Sequence, residues 1–68
     1  MEEVKKGDKV EANIVNNSMF GVVRGKVTIV KKNFIQIRAT EVCRKFSTAW
    51  ENFSITASAA KTAIVKIY

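Results

Sequence analysis

Residues 20–40 decide the fold, and they read FGVVRGKVTIVKKNFIQIRAT. From Phe20 to Val30, apolar and polar residues alternate around two glycines. A polar break, Lys31-Lys32-Asn33, separates this run from a second alternating run, Phe34 to Thr40. Alternation with a period of two is typical of a half-buried β-strand. Because the break is short, we expect the two strands to form an antiparallel hairpin.

The alternation assigns each hairpin residue to one face of the sheet. The row expected to face the core is Val23, Gly25, Val27, Ile29, Ile35, Ile37 and Ala39. The row expected to face outward is Arg24, Lys26, Thr28, Phe34, Gln36, Arg38 and Thr40. Gly21 and Gly25 fall inside the first strand, where glycine often marks the bulge or bend that a small barrel needs.

The rest of the chain predicts two more strands. Lys9 to Val15 alternates between the turn signals Gly7-Asp8 and Asn16-Asn17-Ser18. Its inward row is Val10, Ala12 and Ile14. Ser58-Ala59-Ala60 is interpreted as a turn of small residues before a closing strand, Lys61 to Tyr68. The closing strand has one row formed by Ala63, Val65 and Ile67.

The aromatic segment before that turn leaves two interpretations open. Its apolar residues have the three- and four-residue spacing of a helix, and Thr48 and Glu51 match a capping box. Alternate residues of the segment would equally form one face of a strand. The residues with helical spacing are Phe46, Ala49, Trp50 and Phe53, and the strand face would be Phe46, Thr48, Trp50 and Asn52. Trp50, the only tryptophan, is interpreted as a core residue.

The pattern predicts one all-β domain that spans residues 1–68. Four or five short strands in so short a chain favour a small closed barrel, because closure removes exposed strand edges. We expect about five antiparallel strands and at most one short helical turn, near residues 47–53. A chain of this length is close to the lower limit for a core that holds a fold by itself.

Three features resemble the SH3-like small barrels, in particular the KOW-type modules of ribosomal proteins and transcription elongation factors. They are the opening Gly7-Asp8-Lys9-Val10, the glycine-punctuated stretch Gly21 to Val27, and the following Ile-x-Ile strand. The resemblance covers roughly residues 5–39, and it departs from the KOW pattern at residues 16–20, where Asn-Asn-Ser-Met-Phe replaces a glycine. It implies a barrel that binds nucleic acid or protein; an OB-type barrel is the structural alternative.

The charge is concentrated on the hairpin. The stretch from Arg24 to Lys45 holds seven cations and one acid, Glu41, so it accounts for the whole net charge of +6. A localised basic surface is typical of a protein that contacts phosphates or another polyanion.

Seven hairpin residues are therefore predicted to bind DNA or RNA with low sequence specificity. The cations would neutralise phosphates, Phe34 would stack on an unpaired base, and Gln36 would contact a base edge. The predicted site is Arg24, Lys26, Lys31, Lys32, Phe34, Gln36 and Arg38.

Two other interpretations of this surface stay open. An acidic protein would suit the same cations, with Phe34 as an apolar anchor. In its size and its lysine and asparagine content, the chain resembles small proteins that phages and mobile elements encode against a host transcription or DNA-binding factor. The remaining interpretation is a solvated basic face without a specific partner.

Catalysis, metals and cofactors are not expected. The chain has no histidine, and its single cysteine, Cys43, is interpreted as a small buried hydrophobe. One cysteine forms no intramolecular disulfide, which favours a reducing cytosol. No signal-peptide pattern or run of transmembrane length is present in the sequence, so a cytoplasmic protein without membrane contact is expected, in the host cytoplasm if it is phage-encoded.

Overall fold

Three strands of eleven residues and two shorter strands form one antiparallel sheet. The computed structural model describes residues 3–15 and 17–68. The strands are β1 (Lys9–Asn13), β2 (Phe20–Val30), β3 (Phe34–Arg44), β4 (Trp50–Ala60) and β5 (Ile64–Ile67). Their order in the sheet is β4-β3-β2-β1-β5, and a 3-10 turn, Lys61–Ala63, precedes β5. The predicted all-β class is confirmed, and the sheet is compatible with a small barrel.

The core lies on the face that the alternation predicts. Its buried apolar residues include Val10, Ala12, Ile14, Val23, Val27, Ile35, Ile37 and Ala39. The hairpin is also confirmed, since Val30 pairs with Ile35 and the Lys31 amide donates to the Phe34 carbonyl at 2.9 Å. Of the turn predicted after the first strand, Asn16 lies outside the described residues.

A bulge makes the prediction for Ile29 wrong. The pairing of β2 with β3 shifts between Val27 and Ile29, so Thr28 is an extra residue in β2. One extra residue reverses the face on which the following side chains lie. Ile29 is consequently 42% exposed instead of buried in the core.

Gly25 allows β2 and β3 to approach closely at another point where the pairing of the two strands shifts. A Cβ at this position would lie 2.5 Å from the Ala39 Cα and would also clash with the Arg38 carbonyl group. The pairing shifts here too, so Arg24 faces Glu41 whereas Gly25 faces Ala39. The glycine is required by backbone contact and not by an unusual dihedral angle.

Of the two interpretations left open near residues 47–53, the helical turn is not adopted, because β4 begins at Trp50. The turn predicted at Ser58-Ala59-Ala60 is wrong, because β4 continues to Ala60. β3 continues past Thr40 to Arg44, and its backbone pairs with residues 50–60. These long-range hydrogen bonds override the local helical spacing. Glu51 forms no capping box and accepts a hydrogen bond from Arg44 Nε, at 2.6 Å. The strand interpretation of this segment is therefore confirmed from Trp50 onward.

The closing strand is shorter than expected. Residues 61–63 form the 3-10 turn, and the β1–β5 pairing shifts so that Ala12 faces Ile64 while Glu11 faces Lys66. Val65 is the extra residue at this bulge and is 57% exposed. The row expected from Ala63, Val65 and Ile67 is therefore broken at Val65, whereas Ile64 and Ile67 pack against the core.

The two glycines of β2 provide a matched test of the close approach. We expect Gly25→Ala to lower the free energy of unfolding by about 2–3 kcal/mol, because the backbone of β3 must move. Gly21→Ala is the control, since its Cβ would come no closer than 3.4 Å to the flexible Lys45 side chain and 3.8 Å to the Lys45 Cα. We expect it to change stability by less than about 1 kcal/mol. Urea denaturation followed by circular dichroism measures both, and equal losses would contradict the role assigned to Gly25.

Candidate nucleic-acid interface

Strand pairing arranges the charged residues of the outer face in two rows across β1, β2 and β3. Lys9 pairs with Lys26, which pairs with Arg38. We call Lys9, Lys26 and Arg38 the cationic row. In the neighbouring row, Glu11 pairs with Arg24, which pairs with Glu41. We call Glu11, Arg24 and Glu41 the ion-paired row. The two rows differ in charge because the second carries two acids around one cation.

Arg24, a residue of the predicted site, is already engaged within the protein. Its Nε donates to Glu11 Oε1 at 2.8 Å, and its Nη1 lies 4.0 Å from Glu41 Oε2. The hydrogen bond to Glu11 raises the pKa of Arg24 above its ordinary value, so the guanidinium stays charged at any accessible pH. Tyr68 Oη also donates to Glu11 Oε1, at 3.2 Å. The charge of Arg24 is therefore compensated by protein carboxylates.

Trp50 covers Arg24 from the outer side of the sheet. The guanidinium carbon lies 3.8 Å from the centre of the Trp50 ring. The interpretation of Trp50 as a core residue is wrong, since the ring is only partly buried and takes no part in the core cluster. A tryptophan face stabilises an adjacent guanidinium through its quadrupole, and this contact further shields Arg24 from a ligand.

The cationic row has little internal compensation. Lys9 Nζ lies 3.9 Å from Glu41 Oε1, and Lys26 and Arg38 make no ion pair with a described residue. Like charges directly opposite one another destabilise an antiparallel sheet. An anionic ligand on this row would relieve that repulsion.

The N-terminal turn adds a fourth cation beside the row. A shallow groove of about 550 Å³ has Lys6, Lys9, Lys26 and Arg38 among its lining residues. The turn is fixed against β2 because the Gly7 amide donates to the Val27 carbonyl at 2.8 Å. The φ of +94° at Gly7 suits the glycine found there.

Sequence reasoning missed Lys6 and Lys9, because they lie in a segment whose net charge is slightly negative. Only the cross-strand register shows that Lys9 lies opposite Lys26. The signal that could have identified Lys9 is its position in the first strand. If the first and second strands are aligned as a hairpin, Lys9 lies opposite the outward row of the second strand.

The tip of the hairpin carries the aromatic member of the predicted site. Lys31 and Lys32 are exposed in the turn, and Phe34 is 45% exposed beside Ala60 of β4. Phe34 and Arg38 lie on the same face of β3, about 13 Å apart by the rise of an extended strand. Gln36 lies between them and is half-buried.

Five of the seven predicted residues thus form an exposed surface, and the other two are less available to a ligand. The exposed members are Lys26, Lys31, Lys32, Phe34 and Arg38. Arg24 is ion-paired and Gln36 is half-buried. We call the cationic row together with Lys31, Lys32 and Phe34 the basic face.

Other kinds of site have no counterpart in the part of the chain that the structure describes. No group of three or more histidine, cysteine, aspartate and glutamate side chains there is placed to hold a metal ion. Cys43 is buried, with Sγ 3.1 Å from the Ser47 carbonyl oxygen. None of the helical segments in residues 3–15 and 17–68 is long and apolar enough to cross a membrane.

No family model, curated protein or solved structure matches the chain. A function must therefore be inferred from the residues of the chain and their arrangement.

We expect neutralising a cation to change the free energy of unfolding differently in the two rows. We expect Arg24→Gln to lower the free energy of unfolding, since it removes two partly screened ion pairs and the contact with Trp50. We expect Lys26→Gln to leave stability unchanged or raise it by a few tenths of a kcal/mol, because it removes like-charge repulsion.

Urea denaturation at low salt and at about 1 M NaCl, where the Debye length is about 3 Å, measures both effects and their screening. A loss for Lys26→Gln as large as that for Arg24→Gln would contradict the division of the face into two rows.

Proposed function

We propose that this chain is a non-enzymatic binding module that contacts nucleic acid through its basic face, with low sequence specificity. The observation that carries the proposal is the juxtaposition of Lys9, Lys26 and Arg38 on three adjacent strands. The five-stranded antiparallel sheet is compatible with a small barrel, the architecture that the resemblance to SH3-like proteins implies. A KOW-type module, a cytoplasmic location and a phage origin stay predictions.

The cationic row would hold the phosphates. Adjacent strands lie about 4.8 Å apart, so three cations in one row span about 10 Å of ligand backbone. Contacts of this kind position a nucleic acid without reading its sequence, because the phosphates are the same at every step. Low specificity follows from this part of the mechanism.

Phe34 would supply a stacking surface beside the cations of the tip. A base stacked on an aromatic side chain is worth about 1–3 kcal/mol, whichever base it is. An unpaired base can reach such a ring, whereas a base inside a duplex cannot. A single strand is therefore the expected form of the ligand, and DNA and RNA are both compatible with it.

Charge reversal at the hairpin tip tests the basic face. We expect Lys31→Glu/Lys32→Glu to weaken binding of a fluorescent single strand of about 15 nucleotides at least tenfold at low salt. Lys45→Glu/Lys66→Glu is the control, since it changes the net charge equally at positions outside the basic face. Fluorescence anisotropy with oligo-dT and oligo-U measures binding and separates DNA from RNA.

For wild type, the logarithm of the binding constant should fall with the logarithm of the salt concentration with a slope of about −3 to −4, given five cations in the basic face. An equal loss of binding in both double variants would leave only net charge as the cause. Unchanged binding in Lys31→Glu/Lys32→Glu would remove the tip from the site.

A protein-interaction module is the second candidate, and Phe46 favours it. This residue lies in the turn after β3, its side chain is fully exposed, and its φ is +64°. A left-handed backbone conformation is costly for a bulky residue, and an exposed phenylalanine gains nothing from the fold in return. Met19, 51% exposed, lies near it, because the Lys45 amide donates to the Met19 carbonyl at 3.1 Å. An apolar pocket with an acidic rim on a host protein would fit Phe46 and Lys45.

Phe46→Asn separates this role from stability. Asparagine adopts the left-handed conformation more easily, so we expect the free energy of unfolding to rise by about 0.5–1 kcal/mol. If Phe46 is an anchor, the same variant should lose the partner.

A pull-down from nuclease-treated cytosol, followed by titration of the purified partner, measures the second effect. Val65→Asn on β5, at an equally apolar and 57% exposed position, is the comparison variant. A partner that survives nuclease treatment but binds Phe46→Asn normally would contradict the anchor, and loss of every partner on nuclease treatment would favour nucleic acid.

A further inference from the structure

One edge of β4 is an unprotected strand edge. β4 pairs with β3 on one side, and no described strand pairs with it on the other. Residues 52–60 contain no charged residue and no proline. Natural proteins usually protect such an edge with charges, proline or a very short strand, because its free amides and carbonyls pair with another chain. The nine-residue neutral stretch of β4 has none of these protections, and its one irregularity is a shift in the pairing with β3 between Asn52 and Ile55.

The sequence of β4 is complementary to itself in the antiparallel direction. Centring two copies on Thr56 pairs the whole neutral stretch with itself, with Asn52 opposite Ala60 of the second copy. The charged residues that flank this stretch are Glu51 and Lys61, at equal distances from Thr56. Lys61 is the first residue of the 3-10 turn, directly after β4, and Glu51 bonds Arg44 of its own chain. In this register Glu51 lies next to Lys61 of the second copy at both ends of the paired strands. Opposite charges at this spacing favour this register over its neighbours.

We propose that two copies of the chain associate through antiparallel pairing of their β4 strands about a two-fold axis at Thr56. The two five-stranded sheets then form one sheet of ten strands. The pairing satisfies the free backbone groups of β4, with about one hydrogen bond for each paired residue. A two-fold axis uses the same surface on both copies, so the assembly closes as a dimer and does not extend into a filament.

The side chains of β4 suit this arrangement. Phe53 is 53% exposed in the single chain, and in the dimer it lies opposite Ala59 of the second copy, a small residue that leaves room for the ring. Ile55 and Ala57, both half-buried, face each other across the axis. A domain of 68 residues has a small core, and association is one common way in which such domains gain stability.

The dimer would also extend the basic face, which deepens the proposed function without depending on it. Thr56 pairs with Arg38 of the cationic row. The row therefore continues through Thr56 into the second copy, where it ends on that copy's Arg38, Lys26 and Lys9. The two Arg38 residues lie three strand spacings apart, or about 14 Å. A single strand of nucleic acid could then contact both rows.

A charge swap tests the dimer and its register together. Sedimentation equilibrium of the wild-type chain, without nucleic acid, should show twice the monomer mass at high micromolar concentration. Lys61→Glu places Glu51 opposite a second acid at both ends, and we expect it to weaken dimerisation about tenfold. Arg44→Glu/Glu51→Lys/Lys61→Glu restores opposite charges between the copies and keeps the pairing of residues 44 and 51 within each chain. We expect this triple swap to return the dissociation constant to within about threefold of wild type.

Thr56→Lys provides a second and stronger block, because it places two lysines against each other on the axis. Ser18→Lys, in the exposed loop between β1 and β2, adds the same charge away from the edge and should dimerise normally. Circular dichroism shows that each variant folds.

A wild-type monomer at all concentrations up to about 1 mM, a threshold well above a micromolar dissociation constant, would overturn the proposal. A dimer that Lys61→Glu does not weaken, or that the triple swap does not restore, would overturn the register. Because these experiments contain no nucleic acid, their failure would leave the proposed binding function untouched.

Discussion

The pairing of Arg24 with Glu11 and Glu41 organises the outer face of this sheet. One guanidinium on the central strand β2 contacts carboxylates on both neighbouring strands, at 2.8 Å and 4.0 Å. It joins β1, β2 and β3 through side chains as well as through the backbone. It also neutralises two acids that would otherwise lie beside the cationic row. Lys26 and Arg38 then have no ion pair with a described residue, so their charges are available to bind phosphates.

Gly25 connects this interaction to the cationic row. The pairing between β2 and β3 shifts directly after Arg24, so Lys26 faces Arg38 instead of Ala39. Ala39 is fully buried, so a regular register would place a buried alanine opposite an exposed lysine. The close approach that only glycine permits therefore brings the two cations together on one face. The same local geometry shapes both the bend of the sheet and the candidate site.

Much of the fold could be predicted from local alternation. The bounds of β2, the start of β1 and the buried row of β3 follow from a period of two, because one face of these strands is buried and the other is not. Ile29 and Val65 could not be predicted, because each lies at a bulge that shifts the alternation by one residue. For the start of β4 the sequence left a helix and a strand open, because its local spacing is typical of a helix while its strand form depends on pairing with β3.

The candidate site shows the same division between local and long-range information. The cations and the aromatic of the hairpin could be found from the sequence, since charge and alternation are local properties. The partners of Arg24 could not, because Glu11 lies on another strand and Trp50 lies beyond the hairpin. Lys9 joined the site only through its register with Lys26. A residue's charge is visible in the sequence, whereas its compensation depends on the fold.

The arginine side chains offer the most direct test of the central claim, that Arg24 is held by the protein while Arg38 is free to bind a ligand. The chain has three arginines, so an NMR spectrum contains three side-chain Nε–Hε signals. On titration with a short single-stranded oligonucleotide, we expect the Arg38 signal to shift and the Arg24 signal to stay unchanged. Arg44, bonded to Glu51 at 2.6 Å, is the internal control and should also stay unchanged. A shift of the Arg24 signal with an unaffected Arg38 signal would contradict the account.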